Sequence, residues 1–143
     1  MAEELSPKKG SPFSIRLSRA TDRLVSYEAR RTRRSKSAVV EAFTEETART
    51  RRFPGIGFRG DDASRRAWVI GSGLDVWEII HMLGDFGSAD RLVRETHLVA
   101  AQVRLAIAYR DTYTDEIEEA IEVNRRPDLP TLYPFIHTAG PAQ

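Results

Sequence analysis

Residues 12–18 read Pro12-Phe13-Ser14-Ile15-Arg16-Leu17-Ser18. Phe13, Ile15 and Leu17 alternate with Ser14, Arg16 and Ser18, the period of a β-strand with one apolar and one polar face. Nothing nearby supplies a second strand, so this one must pair elsewhere, and the simplest partner is the same strand of another copy. Two such strands make a ribbon that carries two Arg16 side chains, a shape that fits the major groove of DNA.

Working outward, residues 1–11 hold Ser, Pro, Lys and Gly without periodicity and are expected to be a flexible arm. A first helix is predicted over Arg19–Thr32, with Ala20, Leu24, Val25, Tyr27 and Ala29 as its apolar positions. The basic run Arg30-Arg31-Thr32-Arg33-Arg34 closes it, where cations suit the negative helix end or can meet phosphates. A second helix opens at Ser35-Lys36-Ser37, with Ser35 or Ser37 as N-cap and Ala38, Val39, Ala42 and Phe43 as its apolar face. Phe53-Pro54-Gly55 ends it.

The chain has 143 residues and a net charge of +1, yet its charges are unevenly spread. Residues 1–66 carry 16 Lys or Arg against 9 Asp or Glu, a balance of +7, whereas residues 67–143 carry 6 against 12, a balance of −6. Clustered arginines in the first half suit a polyanion, because they displace counterions from phosphates. The acidic half would be repelled by DNA and suits solvent or a basic protein. With no cysteine, disulfides and thiolate metal sites are excluded and a cytoplasmic location is the default. The sequence has no apolar run near the roughly 20 residues of a membrane span, nor an apolar signal core.

In the second half, Ile56-Gly57-Phe58-Arg59 and Ala67-Trp68-Val69-Ile70 are predicted to form a β-hairpin or two edge strands, with a turn at Gly71-Ser72-Gly73. Helices are predicted over Asp75 to Gly84, Ser88 to Thr96, Val99 to Asp111 and Thr114 to Asn124. The third shows Val103, Leu105, Ile107 and Ala108 as apolar, and the fourth opens on a Thr-Asp-Glu cap signature and is expected to bury Ile117, Ala120 and Ile121. Residues 126–137 contain Leu129, Leu132, Tyr133, Phe135 and Ile136 but also three prolines, which bar a long helix. Such an apolar tail is expected to pack on a partner or on its own domain.

Residues 12–52 resemble the ribbon-helix-helix family of DNA-binding dimers, on the alternating strand, the helix ending at Arg33-Arg34 and the Ser35-Lys36-Ser37 opening. The resemblance implies that Pro12, Ser14 and Arg16 face base edges, with hydrogen-bonding readout left to Ser14 and Arg16. It also implies that the backbone at Ser35, Lys36 and Ser37, flanked by Arg33 and Arg34, grips a phosphate. Arg33 stands where the interhelical turn often carries a glycine. A guanine contact by Arg16 would supply about 1–3 kcal/mol of discrimination.

Residues 54–124 resemble a small antitoxin-associated family of unknown function. The resemblance rests on Ile56-Gly57-Phe58-Arg59-Gly60, on Gly71-Ser72-Gly73-Leu74-Asp75-Val76 where the family usually reads Gly-Thr-Arg-Ile-Pro-Val, and on a helix-turn-helix-like run ending Gln102-Val103-Arg104-Leu105-Ala106-Ile107-Ala108-Tyr109. Such proteins are VapB-type antitoxins encoded beside PIN-like ribonuclease toxins. The resemblance implies that this part holds a toxin or adds a second DNA contact, and the tail residues Leu129, Leu132, Tyr133, Phe135 and Ile136 are the candidate toxin-binding set.

The expected fold is therefore mainly α with short β: a ribbon-helix-helix over 12–52, a hairpin plus three- to four-helix domain over 54–124, and a Pro-rich tail over 125–143. The expected function is that of an antitoxin binding operator DNA as a homodimer or higher even oligomer, autorepressing its operon and neutralising a PIN-like ribonuclease. The alternative is a repressor without a toxin, whose C-terminal domain serves oligomerisation or ligand sensing. His81, His97 and His137 lack metal-ligand spacing, and no acid, base and nucleophile set appears, so neither a cofactor nor an enzyme is expected. Trp68 and Trp77 stand among aliphatics and are expected in the core. Glu116, Glu118, Glu119 and Glu122 read as a wet helix face or as a mimic of a nuclease's acidic substrate.

Overall fold

Ser18, the last position of the alternating stretch, caps the first helix: its backbone is extended and its hydroxyl accepts from the Thr21 N–H at 3.2 Å. In the computed structural model, which describes residues 9–61 and 64–125, α1 spans Arg19–Thr32 and α2 spans Lys36–Arg52. The chain divides into two compact units, Met1–Thr44 and Glu45–Gln143. The division falls inside α2 rather than at the predicted Pro54-Gly55 break. Arg49 and Phe53 explain why, since both are packed against residues of the C-terminal unit.

The N-terminal unit buries little of its own apolar surface. Among its described residues Val25 of α1 and Val39 of α2 are the buried side chains, whereas Leu24 and Tyr27 are 68% and 62% exposed. Residues 11–18 belong to no sheet of this chain, and Phe13 and Ile15 are exposed at 85% and 63%. Helix periodicity therefore located α1 to the residue, but among the described residues nothing covers Leu24 and Tyr27, two of the positions that the pattern marks as apolar.

In the C-terminal unit, β1 (Ile56–Arg59), β2 (Arg66–Val69) and β3 (Leu74–Asp75) form an antiparallel sheet in the order β1-β2-β3. Ile56 lies opposite Val69 and Phe58 opposite Ala67, so these four share the inward face. Gly57, Arg59, Arg66 and Trp68 alternate with them onto the other face. The sequence did not reveal β3, a two-residue strand. It exists because Ser72 closes the turn: its hydroxyl donates to the Val69 carbonyl at 2.6 Å and accepts from the Leu74 N–H at 3.0 Å. Gly71 and Gly73 flank it at φ 88° and 75°, a region that favours glycine.

Four helices follow: α3 (Val76–Phe86), α4 (Ala89–Glu95), α5 (Ala100–Thr112) and α6 (Thr114–Arg125). Each starts within a residue or so of its predicted position. Ser88 caps α4 through the Arg91 N–H, and Gly87 ends α3 in the left-handed region. Phe53, Ile56, Val69, Val76, Ile79, Leu92, Leu98, Val103, Ala106, Tyr109 and Ile117 form one core. None of the helices in the described residues is long and apolar enough to cross a membrane.

Three local expectations are corrected. On α5 the fully buried positions are Val103, Ala106 and Tyr109; Leu105 and Ile107 are half-buried and Ala108 is exposed. The inward face runs i, i+3, i+6 and ends on a tyrosine whose hydroxyl finds partners. Thr114 does not cap α6, because its hydroxyl donates back to the Arg110 carbonyl at 2.9 Å. Trp77 packs against the core, but Trp68 lies on the opposite sheet face, beneath the Arg59 guanidinium at 4.7 Å from its ring centre.

Candidate nucleic-acid interface

The expected base-reading residues, Pro12, Ser14 and Arg16, are all exposed on the segment before α1, which has no regular secondary structure. The expected phosphate-binding residues are gathered at the turn between α1 and α2. There Arg33 adopts φ 54° and ψ 39°, the left-handed conformation that a glycine would otherwise occupy. The Arg34 N–H donates to the Ala29 carbonyl at 3.0 Å and the Arg33 N–H to the Arg30 carbonyl, which closes α1 and turns the chain sharply into α2. Ser35 then caps α2, its hydroxyl accepting from the Ala38 N–H at 3.1 Å. Ser35, not Ser37, is thus the cap.

Arg33, Arg34, Ser35, Lys36 and Ser37 are all exposed around this helix start. Unsatisfied N–H groups and the positive helix end there favour an anion. The Lys36 amine is already engaged, 2.8 Å from the Asp22 carboxylate. Its contribution to anion binding would therefore come from the backbone or from a side chain released from Asp22. Arg31 is likewise paired with Glu28.

The strongest polar constellations lie elsewhere, in the C-terminal unit, and the residue pattern did not reveal them. Asp75, whose side chain is 3% exposed, accepts from Arg66 Nε at 2.7 Å, from Arg59 Nε at 2.8 Å and from Trp77 Nε1 at 3.3 Å. Burial works to raise its pKa, but the hydrogen bonds from Arg66 and Arg59 outweigh it and hold the carboxyl below its ordinary value. The second cluster centres on Arg49, which donates to the Tyr109 hydroxyl at 2.8 Å, to Glu116 at 3.0 Å and to Glu45 at 2.6 Å. Its guanidinium lies 3.9 Å from the centre of the Tyr113 ring. Burial pushes the Tyr109 hydroxyl up, and the neighbouring Glu116 charge adds to this against the opposing Arg49 bond.

These clusters are satisfied internally and join elements of one unit, so they are structural staples. An aspartate directly before a helix was the one signal pointing to Asp75; nothing in the pattern pointed to its arginine partners. Among the described residues no group of three or more His, Cys, Asp or Glu is placed to hold a metal ion. His81 instead lies 3.5 Å from Asp85, and His97 Nε2 donates to the Ser72 carbonyl at 2.8 Å. His137 and the candidate toxin-binding residues Leu129, Leu132, Tyr133, Phe135 and Ile136 lie outside the described residues. No protein-family model, curated protein or solved structure matches the chain.

Proposed function

We propose that the chain is a dimeric operator-binding antitoxin, its N-terminal unit reading DNA and its C-terminal part holding a PIN-like ribonuclease. The observation that carries the DNA-binding half is the uncovered apolar side of the N-terminal unit. Val25 and Val39, at roughly 2 kcal/mol of burial each, are too little to hold the segment before α1 and two helices together in water. Phe13, Ile15, Leu24 and Tyr27 are available to a second copy. Pairing 12–18 with its counterpart would bury Phe13 and Ile15 and leave Ser14 and Arg16 on the opposite face of the ribbon. The exposed α2 start and Arg33-Arg34 would then fall to phosphates.

The antitoxin half is supported by the acidic balance of the second half and by the apolar composition of its last residues, both suited to a basic protein partner. A mobility-shift assay with the operon's own upstream DNA tests the reading. Arg16→Ala is expected to abolish sequence preference while weak nonspecific binding persists, and unchanged operator affinity would sink the ribbon. Co-expression with the adjacent gene tests the toxin: a neighbour that arrests growth alone and co-purifies with this chain is expected.

A further inference from the structure

Helices α4 and α5 bound an open groove of about 370 Å³ within the C-terminal unit. Ala89, Val93 and Val103 supply apolar lining, and Asp90, Arg94 and Arg104 edge it. Both arginines are exposed, and no residue among those described pairs with either. They differ in this from Arg91, held by Glu95, and Arg110, held by Asp111. The same unit carries a complementary surface. On α6, Asp115, Glu118, Glu119 and Glu122 are exposed and have no partner among the described residues, while Glu116 is taken by Arg49. Positions 115, 118, 119 and 122 recur every three or four residues, so they form one stripe. Val123, 48% exposed, lies one turn from Glu119 beside that stripe.

We infer that the α4–α5 groove receives α6 of a second copy, Val123 meeting the apolar lining and the acidic stripe meeting Arg94 and Arg104. A nucleic acid fits less well. Between its charged edges the lining is apolar, Asp90 stands beside the two arginines, and the half of the chain around it carries a balance of −6. Groove and stripe are different surfaces, so the contact is heterologous and can add copies beyond a dimer. This contact does not rest on the operator-binding reading, because neither surface includes residues of the N-terminal unit.

Sedimentation equilibrium of the full chain over a range of concentration and salt tests it. The apparent mass is expected to rise with concentration above that of the smallest assembly and to fall with salt. Arg94→Glu with Arg104→Glu is expected to weaken this association about tenfold or more, since like charges then face each other. Adding Glu119→Arg and Glu122→Arg to that variant is expected to restore it to within about threefold. Circular dichroism checks that each variant stays folded, and Arg16→Ala is expected to leave the association intact whatever it does to DNA binding. A wild-type mass independent of concentration, or a four-site reversal that fails to restore association, overturns the inference. So does a groove reversal that lowers affinity for random-sequence duplex DNA and leaves self-association unchanged, which would assign the groove to nucleic acid.

Discussion

The Arg49 guanidinium donates to the Tyr109 phenolic oxygen at 2.8 Å, joining residues sixty positions apart in the chain. The hydroxyl in turn donates to Glu116 at 3.1 Å, so one tyrosine mediates between a cation and a carboxylate. Phe53 and Tyr113 pack their rings against Tyr109 at 5.4 and 4.7 Å between centres. The end of α2 is thereby fixed to α5 and α6 by both aromatic and charged contacts.

Tyr109→Phe removes the hydroxyl but leaves the Arg49–Glu116 pair, so it is expected to cost about 1 kcal/mol. Arg49→Met leaves Glu116 without its cation and Tyr109 without its donor, and about 2 kcal/mol is expected after allowance for the half-exposed Glu116. Trp68 and Trp77 both belong to the C-terminal unit, so urea unfolding followed by tryptophan fluorescence reads the difference. Equal costs for the two variants would show that the hydroxyl, not the charge, holds the cluster.

Asp75 links stability to pH. Its carboxyl is held below the ordinary value in the folded chain, so the stabilisation it provides is present above the unfolded pKa, about 3.9. That stabilisation is lost as pH falls from there through the lower folded value. Asp75→Asn is expected to destabilise the C-terminal unit by about 2–3 kcal/mol at neutral pH, since it leaves two guanidiniums without their carboxylate while Arg59 and Arg66 retain some water. The variant's melting temperature is expected to fall less steeply than the wild type's below pH 4. Parallel acid slopes would place the acid sensitivity on other carboxylates.

Arg33 holds a left-handed conformation that costs a side-chain-bearing residue about 1 kcal/mol. Arg33→Gly is expected to raise helix stability by up to about 1 kcal/mol, partly offset by the glycine's greater freedom when unfolded. Thermal melts by circular dichroism measure this, and Arg33→Val is expected to shift the melt the other way. On the operator-binding reading, Arg33→Gly also weakens DNA affinity, so stability and affinity move in opposite directions.

Gly60 has no room for a side chain without a shift of the backbone. Its φ is 111°, and a Cβ there would stand 2.7 Å from the Ser64 carbonyl oxygen, a backbone atom that cannot turn aside. Gly73 has φ 75° and open space around it. Gly60→Ala is therefore expected to cost about 2 kcal/mol or more, and Gly73→Ala about 1 kcal/mol. Urea midpoints read by tryptophan fluorescence compare the two, and equal costs would contradict the steric account.

The sequence by itself placed the start of each helix to within about a residue, although it missed β3 and set the end of α3 at Gly84 rather than Phe86. Ser18, Ser35 and Ser88 cap the helices that follow them, and Gly87 ends α3, because capping and turn chemistry act within a few residues. The short apolar segments at 56–59 and 67–70, read as a hairpin or two edge strands, likewise located the paired strands β1 and β2. Only the tertiary structure decided which side chains meet. Asp75 sits between Arg59 and Arg66 because β2 pairs on both sides, and Arg49 reaches Tyr109 because α2 continues into the C-terminal unit. Burial depended on the same long-range geometry: Tyr109 went inside, while Leu24 and Tyr27, on a helix read to the residue, remained outside. Periodicity states which face is apolar, but a face is buried only when another surface is brought against it.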